Sequence, residues 1–262
     1  MSAAAVPTAL QAPTLAVRGV SLRFGGLQAL DDVGFDVARG ERLGLIGPNG
    51  AGKTTCLRVI AGVLRPDAGR IMLGGATLDG LPVHRRVAAG LAMTHQIVRP
   101  LRTMSVLDNV ALAWGHRRAG GLLRAFTSVD RREARERARA LLERVGVAEY
   151  ADGPTVGVPL GVLKRLEVAR ALALEPRVVL FDEPLAGLNH VEAARLADLI
   201  GSLADSGLTV ILVEHNLREV IRVCDRLVVL ESGQVLAEGE PERVMRIPDV
   251  VAAYVGEETA DA

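Results

Sequence analysis

The chain has 262 residues and no net charge, with 49% apolar and 24% charged residues. These values are typical of a globular protein with one sizeable core, and the charge balance argues against a nucleic-acid binder with a broad basic surface. Aromatic residues make up only 3%, so aliphatic side chains must fill the core. No apolar segment reaches the roughly 18 residues of a membrane-spanning helix, so we expect contact with a membrane only through a partner.

The start of the chain and its two cysteines indicate an intracellular protein. Residues 1–13 lack the basic start and sustained apolar run of a signal peptide and predict a disordered lead. Cys56 and Cys224 lie far apart and outside any metal-ligand spacing, which favours small buried side chains in a reducing compartment. We expect one domain over 14–257 and a short tail at 258–262.

Short apolar runs alternate with longer helical patterns, which predicts an α/β fold with a mostly parallel sheet. The strand candidates are residues 14–18, 43–46, 178–181, 208–213 and 226–230. Three of them, "LGLI", "VVLF" and "LTVILV", are apolar on both faces, as strands of a sheet covered on both sides must be. The earlier stretches "LAVRGVSLRF" and "GRIML" predict antiparallel strands between turns.

The stretch "GPNGAGKTT", residues 47–55, fits the phosphate-binding pattern G-x-x-x-x-G-K-[ST]. It follows an apolar strand and precedes a helical pattern, the context that this motif needs. The glycines let backbone N–H groups surround phosphate oxygens, Lys53 would reach the β- and γ-phosphates, and the Thr54 hydroxyl would bind Mg²⁺. The predicted nucleotide-binding residues here are Gly47, Pro48, Asn49, Gly50, Ala51, Gly52, Lys53, Thr54 and Thr55.

The middle of the chain, from about 97 to 172, is mostly helical and predicts a helical subdomain inserted into the α/β core. Residues 130–145 form its clearest amphipathic pattern, and Asp130 has the position of an N-terminal cap. The predicted apolar face consists of Ala134, Ala138, Leu141, Leu142 and Val145.

Two carboxylates follow the apolar run 178–181. Asp182 and Glu183 could mark a strand that has reached solvent, but the phosphate-binding motif favours a role in chemistry. Asp182 can help to hold Mg²⁺ beside Thr54, and Glu183 can polarise an attacking water molecule. The pair therefore predicts nucleotide hydrolysis.

These elements occur in the order of an ABC-transporter nucleotide-binding domain, and the resemblance covers nearly all of residues 14–257. Phe24 resembles the aromatic residue that stacks on adenine, although a strand-end core residue is the alternative. Gln96 in "MTHQIVRP" resembles the glutamine whose loop links the nucleotide to the helical subdomain, which implies a catalytic and metal-binding role. His215 in "ILVEHN" resembles the histidine that contacts the γ-phosphate and the catalytic water.

The resemblance implies ATP hydrolysis coupled to transport. Two such domains hold two ATP molecules head to tail and act on transmembrane permease subunits at the cytoplasmic face of the membrane. The stretches "SLRFGGLQALDDVGF", "GLNH" and "IPDVVAAYVGEE" resemble the larger ATPase of branched-chain amino-acid importers, a family that also moves urea, amides and aromatic acids. Its usual partners are two permeases, a second ATPase and an extracytoplasmic solute-binding protein.

The chain departs from this family at its signature motif, where "VPLGVLKRLEVARAL" replaces a pattern close to L-S-G-G-Q. Gly161 is kept and is expected to contact nucleotide, but the serine position holds Pro159 and the glutamine position holds Val162. Proline offers neither a hydroxyl nor an N–H to a phosphate. Asn189 also replaces the usual aspartate after the catalytic carboxylate, and loses its charge.

Three other functions remain open. An exporter ATPase of the lipopolysaccharide-extracting type is close in sequence, although the long helical segment argues against it. A nucleotide-gated clamp on ribosomes or DNA usually has tandem domains or coiled-coil inserts, and this chain has one domain without heptads. Finally, Pro159 favours a regulatory subunit that binds ATP without cleaving it, whereas Glu183 argues against one.

Overall fold

The computed structural model describes residues 13–94, 98–119 and 130–260. Its strands are β1 (Leu15–Phe24), β2 (Leu27–Val37), β3 (Arg42–Ile46), β4 (Ala68–Leu73), β5 (Ala76–Thr77), β6 (Leu91–Met93), β7 (Val178–Asp182), β8 (Thr209–Val213), β9 (Arg226–Glu231) and β10 (Gln234–Gly239). Its α-helices are α1 (Lys53–Ala61), α2 (Val83–Ala89), α3 (Val106–Ala119), α4 (Arg131–Arg144), α5 (Leu160–Ala173), α6 (His190–Asp205), α7 (Leu217–Val223), α8 (Pro241–Val244) and α9 (Pro248–Ala260).

The strands form two sheets, which confirms the predicted fold class. The larger sheet has the order β10-β9-β3-β8-β7-β6, and its neighbours are parallel except for the edge strand β10. The smaller sheet has the order β2-β1-β4-β5 and is antiparallel throughout. Every residue of β7 and β8 is buried, because helices and the smaller sheet cover both faces.

The two faces of the parallel sheet belong to separate apolar clusters. Along β7, Val179 and Phe181 pack into the cluster that includes α3, α4, α5 and α6, whereas Val178 and Leu180 pack into the cluster formed with α1 and the antiparallel sheet. Side chains alternate between faces along a strand, so one short apolar run serves both cores. No helix among the described residues is long and apolar enough to cross a membrane.

Helices α3, α4 and α5 lie between β6 and β7 in the chain and form the helical part of the structure. On α4 the predicted apolar face is correct, with Ala134, Ala138 and Leu142 buried. The side chain of Asp130 accepts a hydrogen bond from the N–H of Arg132 at 2.8 Å and caps the helix as predicted. Helix α5 packs against α3 and α6 and carries the predicted signature residues at its start.

Candidate nucleotide-binding site

The loop between β3 and α1 adopts a conformation that only its glycines allow. Gly47, Gly50 and Gly52 all have positive φ, at 145°, 77° and 99°. A Cβ on Gly47 would lie 2.0 Å from the carbonyl oxygen of Leu230, so a side chain there cannot fit without moving backbone. The loop then passes directly into α1, whose first residues leave their N–H groups without intrahelical partners. This arrangement suits a bound phosphate.

Lys53 and Thr54 connect this loop to its surroundings. The Lys53 ammonium is buried and donates hydrogen bonds to the carbonyl oxygens of Gly47 and Pro48, at 2.7 and 2.8 Å. The Thr54 hydroxyl donates to Oδ1 of Asp182 at 3.1 Å. Two of the three predicted Mg²⁺ ligands, from distant parts of the chain, are therefore in direct contact.

The register of β7 and β8 explains the meeting of Glu183 and His215. Asp182 pairs with Val213, so the residues just beyond both strand ends lie at the same edge of the sheet. Glu183 has a φ of 49°, and its carboxylate Oε1 lies 2.8 Å from Nε2 of His215. The Glu183 side chain is 13% exposed and that of His215 is 48% exposed. Asp182, the last residue of the strand, contacts Thr54, whereas Glu183, which lies beyond the strand in a left-handed conformation, contacts the histidine.

Phe24 lies at the end of β1 and is 48% exposed, so it is not the core residue that was the alternative. It pairs across the hairpin with Leu27, which is 68% exposed. Two apolar side chains thus stand in solvent beside the phosphate loop. Such a pair can cover both the face and the edge of a flat base.

One open cavity of about 460 Å³ collects most of the predicted residues. Its predicted members are Phe24, Asn49, Gly50, Ala51, Gly52, Lys53, Thr54, Thr55, Glu183 and His215, and its unpredicted members are Leu27, Gln28, Ala29 and Ser232. The pairing of Leu27 with Phe24 across a Gly-Gly turn was a signal that could have revealed Leu27. Ser232 offered none, since its place depends on the β9–β10 turn. Gln96 lies outside the described residues.

The β9–β10 turn contacts the phosphate loop through backbone hydrogen bonds. Gly233 donates its N–H to the carbonyl oxygen of Ala51 at 3.1 Å, and its own carbonyl accepts from the N–H of Asp31 at 2.8 Å. Its φ is 81°, and a Cβ there would lie 2.8 Å from the carbonyl oxygen of Ala29. The turn therefore joins β2 to the phosphate loop by backbone hydrogen bonds.

A second pair of charged groups lies behind Glu183. Lys164 of α5 is 5% exposed and donates to the carbonyl oxygen of Glu183 at 3.3 Å. Glu214 is 4% exposed and accepts a hydrogen bond from the N–H of Leu185. Burial raises the pKa of Glu214 to about 7, against the stabilising N–H donors of Leu185 and His215. Burial also lowers the pKa of Lys164, although Glu214 and Glu183 oppose this. For both groups desolvation therefore outweighs attraction.

Comparisons with known proteins establish the family. The family described as ABC transporter matches residues 30–186. The high-affinity branched-chain amino acid transport ATP-binding protein LivG of Escherichia coli strain K12 is 39% identical over 94% of this chain and 98% of its own length. The lipopolysaccharide export system ATP-binding protein LptB of that strain is 33% identical with the same coverage. The chain belongs to the ABC transporter family.

Solved ATP-binding cassettes of ABC transporters share the fold. One crystal structure, of a cassette in its ADP conformation, has 30% sequence identity and a TM-score of 0.84, and the match covers 94% of this chain and all of that one. The ADP conformation of that cassette supports nucleotide binding by ABC transporter cassettes of this fold.

The signature residues of this ABC transporter chain lie apart from the cavity just described. Pro159 caps α5 without a side-chain hydrogen bond, and Leu160 is 42% exposed. Gly161 lines a different surface cavity together with Pro159 and Glu192. A Cβ on Gly161 would lie 3.1 Å from Oε1 of Glu192, so a carboxylate stands beside this helix start. The start of α5 therefore presents proline, leucine and a nearby negative charge.

Asn189 keeps a structural role in place of the usual aspartate. Its side chain accepts hydrogen bonds from the N–H groups of Val191 and Glu192 at 3.1 and 3.0 Å, and Glu192 in turn accepts from the Asn189 N–H. This reciprocal pattern is a capping box at the start of α6. An amide oxygen serves this purpose as well as a carboxylate does.

Proposed function

We propose that the chain is the ATP-hydrolysing subunit of an ABC importer for branched-chain amino acids or a related small polar, amide or aromatic-acid solute. The observation that carries this proposal is the cavity in which the phosphate loop meets Glu183 bonded to His215. The 39% identity to LivG over almost the full length supports import of this class of solute.

Thr54 and Asp182 are the residues suited to hold Mg²⁺. Their side-chain oxygens are 3.1 Å apart, and both are hard donors of the kind that Mg²⁺ takes. Among the described residues, no group of three His, Cys, Asp or Glu side chains could hold a metal ion. The remaining ligands would therefore come from the nucleotide, from water and from Gln96. Bound Mg²⁺ neutralises charge on the phosphates.

The other side chains of the cavity have separate proposed roles in binding and hydrolysis. Lys53 would exchange the carbonyls of Gly47 and Pro48 for the β- and γ-phosphate oxygens. Glu183 would orient the attacking water and accept its proton, while His215 holds the carboxylate and reaches the γ-phosphate. Phe24, with Leu27, would cover the adenine ring.

The partners proposed for this chain are transmembrane permeases, a second ATPase subunit and, indirectly, an extracytoplasmic solute-binding protein. The subunit would then lie at the cytoplasmic face of the membrane. In a head-to-tail pair of cassettes, the start of α5 would complete the partner's ATP site. Because Pro159 replaces the phosphate-binding serine of the signature, a heterodimer would have one competent site, on this chain's own phosphate loop, and one weakened site. In a homodimer, the alternative, both sites would be weakened.

Two alternatives keep specific support. The 33% identity to LptB supports an exporter ATPase, although LivG is more similar to this chain. The altered signature supports a regulatory subunit that binds ATP without cleaving it. Turnover that depends on Glu183 would contradict the second alternative.

The first experiment is Mg²⁺-dependent ATP hydrolysis by the purified chain, with Glu183→Gln as the matched blank. We expect the variant to bind ATP as tightly as the native chain and to lose at least 99% of turnover. If the native chain binds ATP without turnover, the same pair is measured after assembly with the second ATPase and the permeases. Equal turnover of the two proteins in that assembly would contradict the proposed role of Glu183. Uptake of labelled leucine by the same assembly in vesicles tests the solute.

A further inference from the structure

The chain has only two lysines, Lys53 and Lys164. Arginine is used at every other position that carries a permanent positive charge. Lys53 belongs to the phosphate loop. Lys164 lies on α5, is 5% exposed, and its ammonium donates to the carbonyl oxygen of Glu183. A buried cation is costly, and arginine fills every other basic position. The one lysine outside the phosphate loop is thus in contact with the proposed catalytic residue.

The contact acts on a backbone conformation that needs support. Glu183 has a φ of 49°, which a residue with a side chain adopts only when its surroundings impose it. Its N–H donates to the carbonyl oxygen of Val213 at 2.9 Å, which ties it to β8. Its carbonyl is held by Lys164. Both ends of this residue are therefore fixed, and its carboxylate is directed at His215 at 2.8 Å.

Glu214 holds the next part of the same turn. Its carboxylate accepts from the N–H of Leu185, two residues beyond Glu183, and it attracts the Lys164 ammonium. Both side chains are almost fully buried, so water screens this attraction little. The turn 183–185 is thus held between one cation on α5 and one carboxylate at the end of β8.

Helix α5 carries further contacts on the same face, at a spacing of three residues. Glu167 pairs with Arg170, whose guanidinium donates to the carbonyl oxygen of Arg99 at 3.2 Å. The helix therefore contacts both the backbone of Glu183 and the segment that follows residue 97. A shift of α5 along or about its axis would move the Lys164 ammonium away from the Glu183 carbonyl.

We propose that Lys164 is a positioning residue for hydrolysis, whose ammonium fixes the backbone of Glu183 and thereby links the carboxylate to the helix that begins at the signature. This inference rests on the proposed catalytic role of Glu183. Lys164 does not touch the nucleotide. It determines how often the carboxylate of Glu183 is in place, and helix α5 changes that fraction when it moves.

The test compares Lys164→Met, Lys164→Arg and Arg165→Met in the full chain, within whichever assembly gives turnover. Methionine keeps the apolar stem and removes the donor, whereas arginine keeps a cation that can donate. Arg165 is the adjacent cation, and it donates to the carbonyl oxygen of Val145 instead. We expect Lys164→Met to lower kcat about tenfold, while its KM for ATP stays within about twofold of the native value. Lys164→Arg should recover most of the lost kcat. The kcat of Arg165→Met should stay within about twofold of the native value.

Several outcomes would overturn the inference. These are an unchanged kcat in Lys164→Met, an equal loss in the Met and Arg variants, and an equal loss in Arg165→Met. If Lys164→Met fails to fold, Glu214→Ala is measured instead, because it removes the hydrogen bond from the Leu185 N–H that holds the same turn. The inference then requires that Glu214→Ala lowers kcat without raising the KM for ATP. Failure of the proposed function is recognised separately, because in that case Glu183→Gln itself keeps its turnover.

Discussion

Replacement of Glu214 by glutamine should stabilise the protein at high pH and have little effect at low pH. The glutamine side chain has the same shape, and its carbonyl oxygen can still accept the hydrogen bond from the Leu185 N–H. The substitution therefore removes little beyond the ionisation of a carboxyl group that is 4% exposed. The comparison isolates the cost of burying that charge.

The size of the effect follows from the raised pKa, which moves from 4.5 to about 7 on burial. The folded protein binds this proton more tightly than the unfolded chain does, so the carboxyl group favours folding at low pH. This contribution is lost as the pH rises from about 4.5 to 7 and is absent above that. Linkage gives a loss of about 3 kcal/mol at pH 8, of which about 1 kcal/mol is already lost at pH 5.

Urea unfolding of both proteins at pH 5, 6, 7 and 8 measures this loss. The free energy of unfolding of Glu214→Gln should rise relative to the native chain by about 2 kcal/mol between pH 5 and pH 8. Glu143→Gln, on the exposed side of α4, is the control and should show no such trend. Two results would refute the reasoning. One is a difference in the free energy of unfolding that does not depend on pH, and the other is a native chain that becomes more stable than the variant as the pH rises. The second result would mean that attraction to Lys164 outweighs desolvation.

Two further predictions concern the phosphate loop and the signature. Gly47→Ala places a Cβ against the carbonyl oxygen of Leu230. It should therefore abolish ATP binding and lower the thermal midpoint by several degrees, which calorimetry would detect. Normal ATP binding would mean that the loop adapts. Pro159→Ser should raise steady-state ATP turnover at least twofold in a heterodimer, because it restores a hydrogen-bond donor for the phosphate in the partner's site. An unchanged rate in the assembled transporter would argue against asymmetric sites.

Strand periodicity and the phosphate-binding motif were sufficient to predict a mostly parallel sheet, the phosphate loop and the two carboxylates, whereas Phe24 and His215 were expected only from the resemblance to ABC-transporter domains. The runs "LGLI", "VVLF" and "LTVILV" are apolar on both faces, which is unusual outside a covered parallel sheet. Once these strands are parallel, the residues after their ends must lie at a common edge. The proximity of Glu183 and His215 to Lys53 therefore follows from the topology.

Lys164 and Ser232 could not be found in this way. Lys164 occupies a helix position where a charged residue usually faces solvent, and only the packing of α5 against the end of β7 buries it. Ser232 reaches the cavity through a turn whose direction depends on the hydrogen bond between Gly233 and Ala51. Both placements arise from contacts between elements distant in sequence, which periodicity does not report.

The scarcity of lysine also has a practical consequence. The lysine side chains of the chain, Lys53 and Lys164, are 6% and 5% exposed, so amine-directed reagents find no lysine on the surface. Cross-linking through lysine would therefore reveal little about the neighbours of this subunit. Modification of a lysine would instead require local opening around the nucleotide site, and its rate would measure how often that opening occurs.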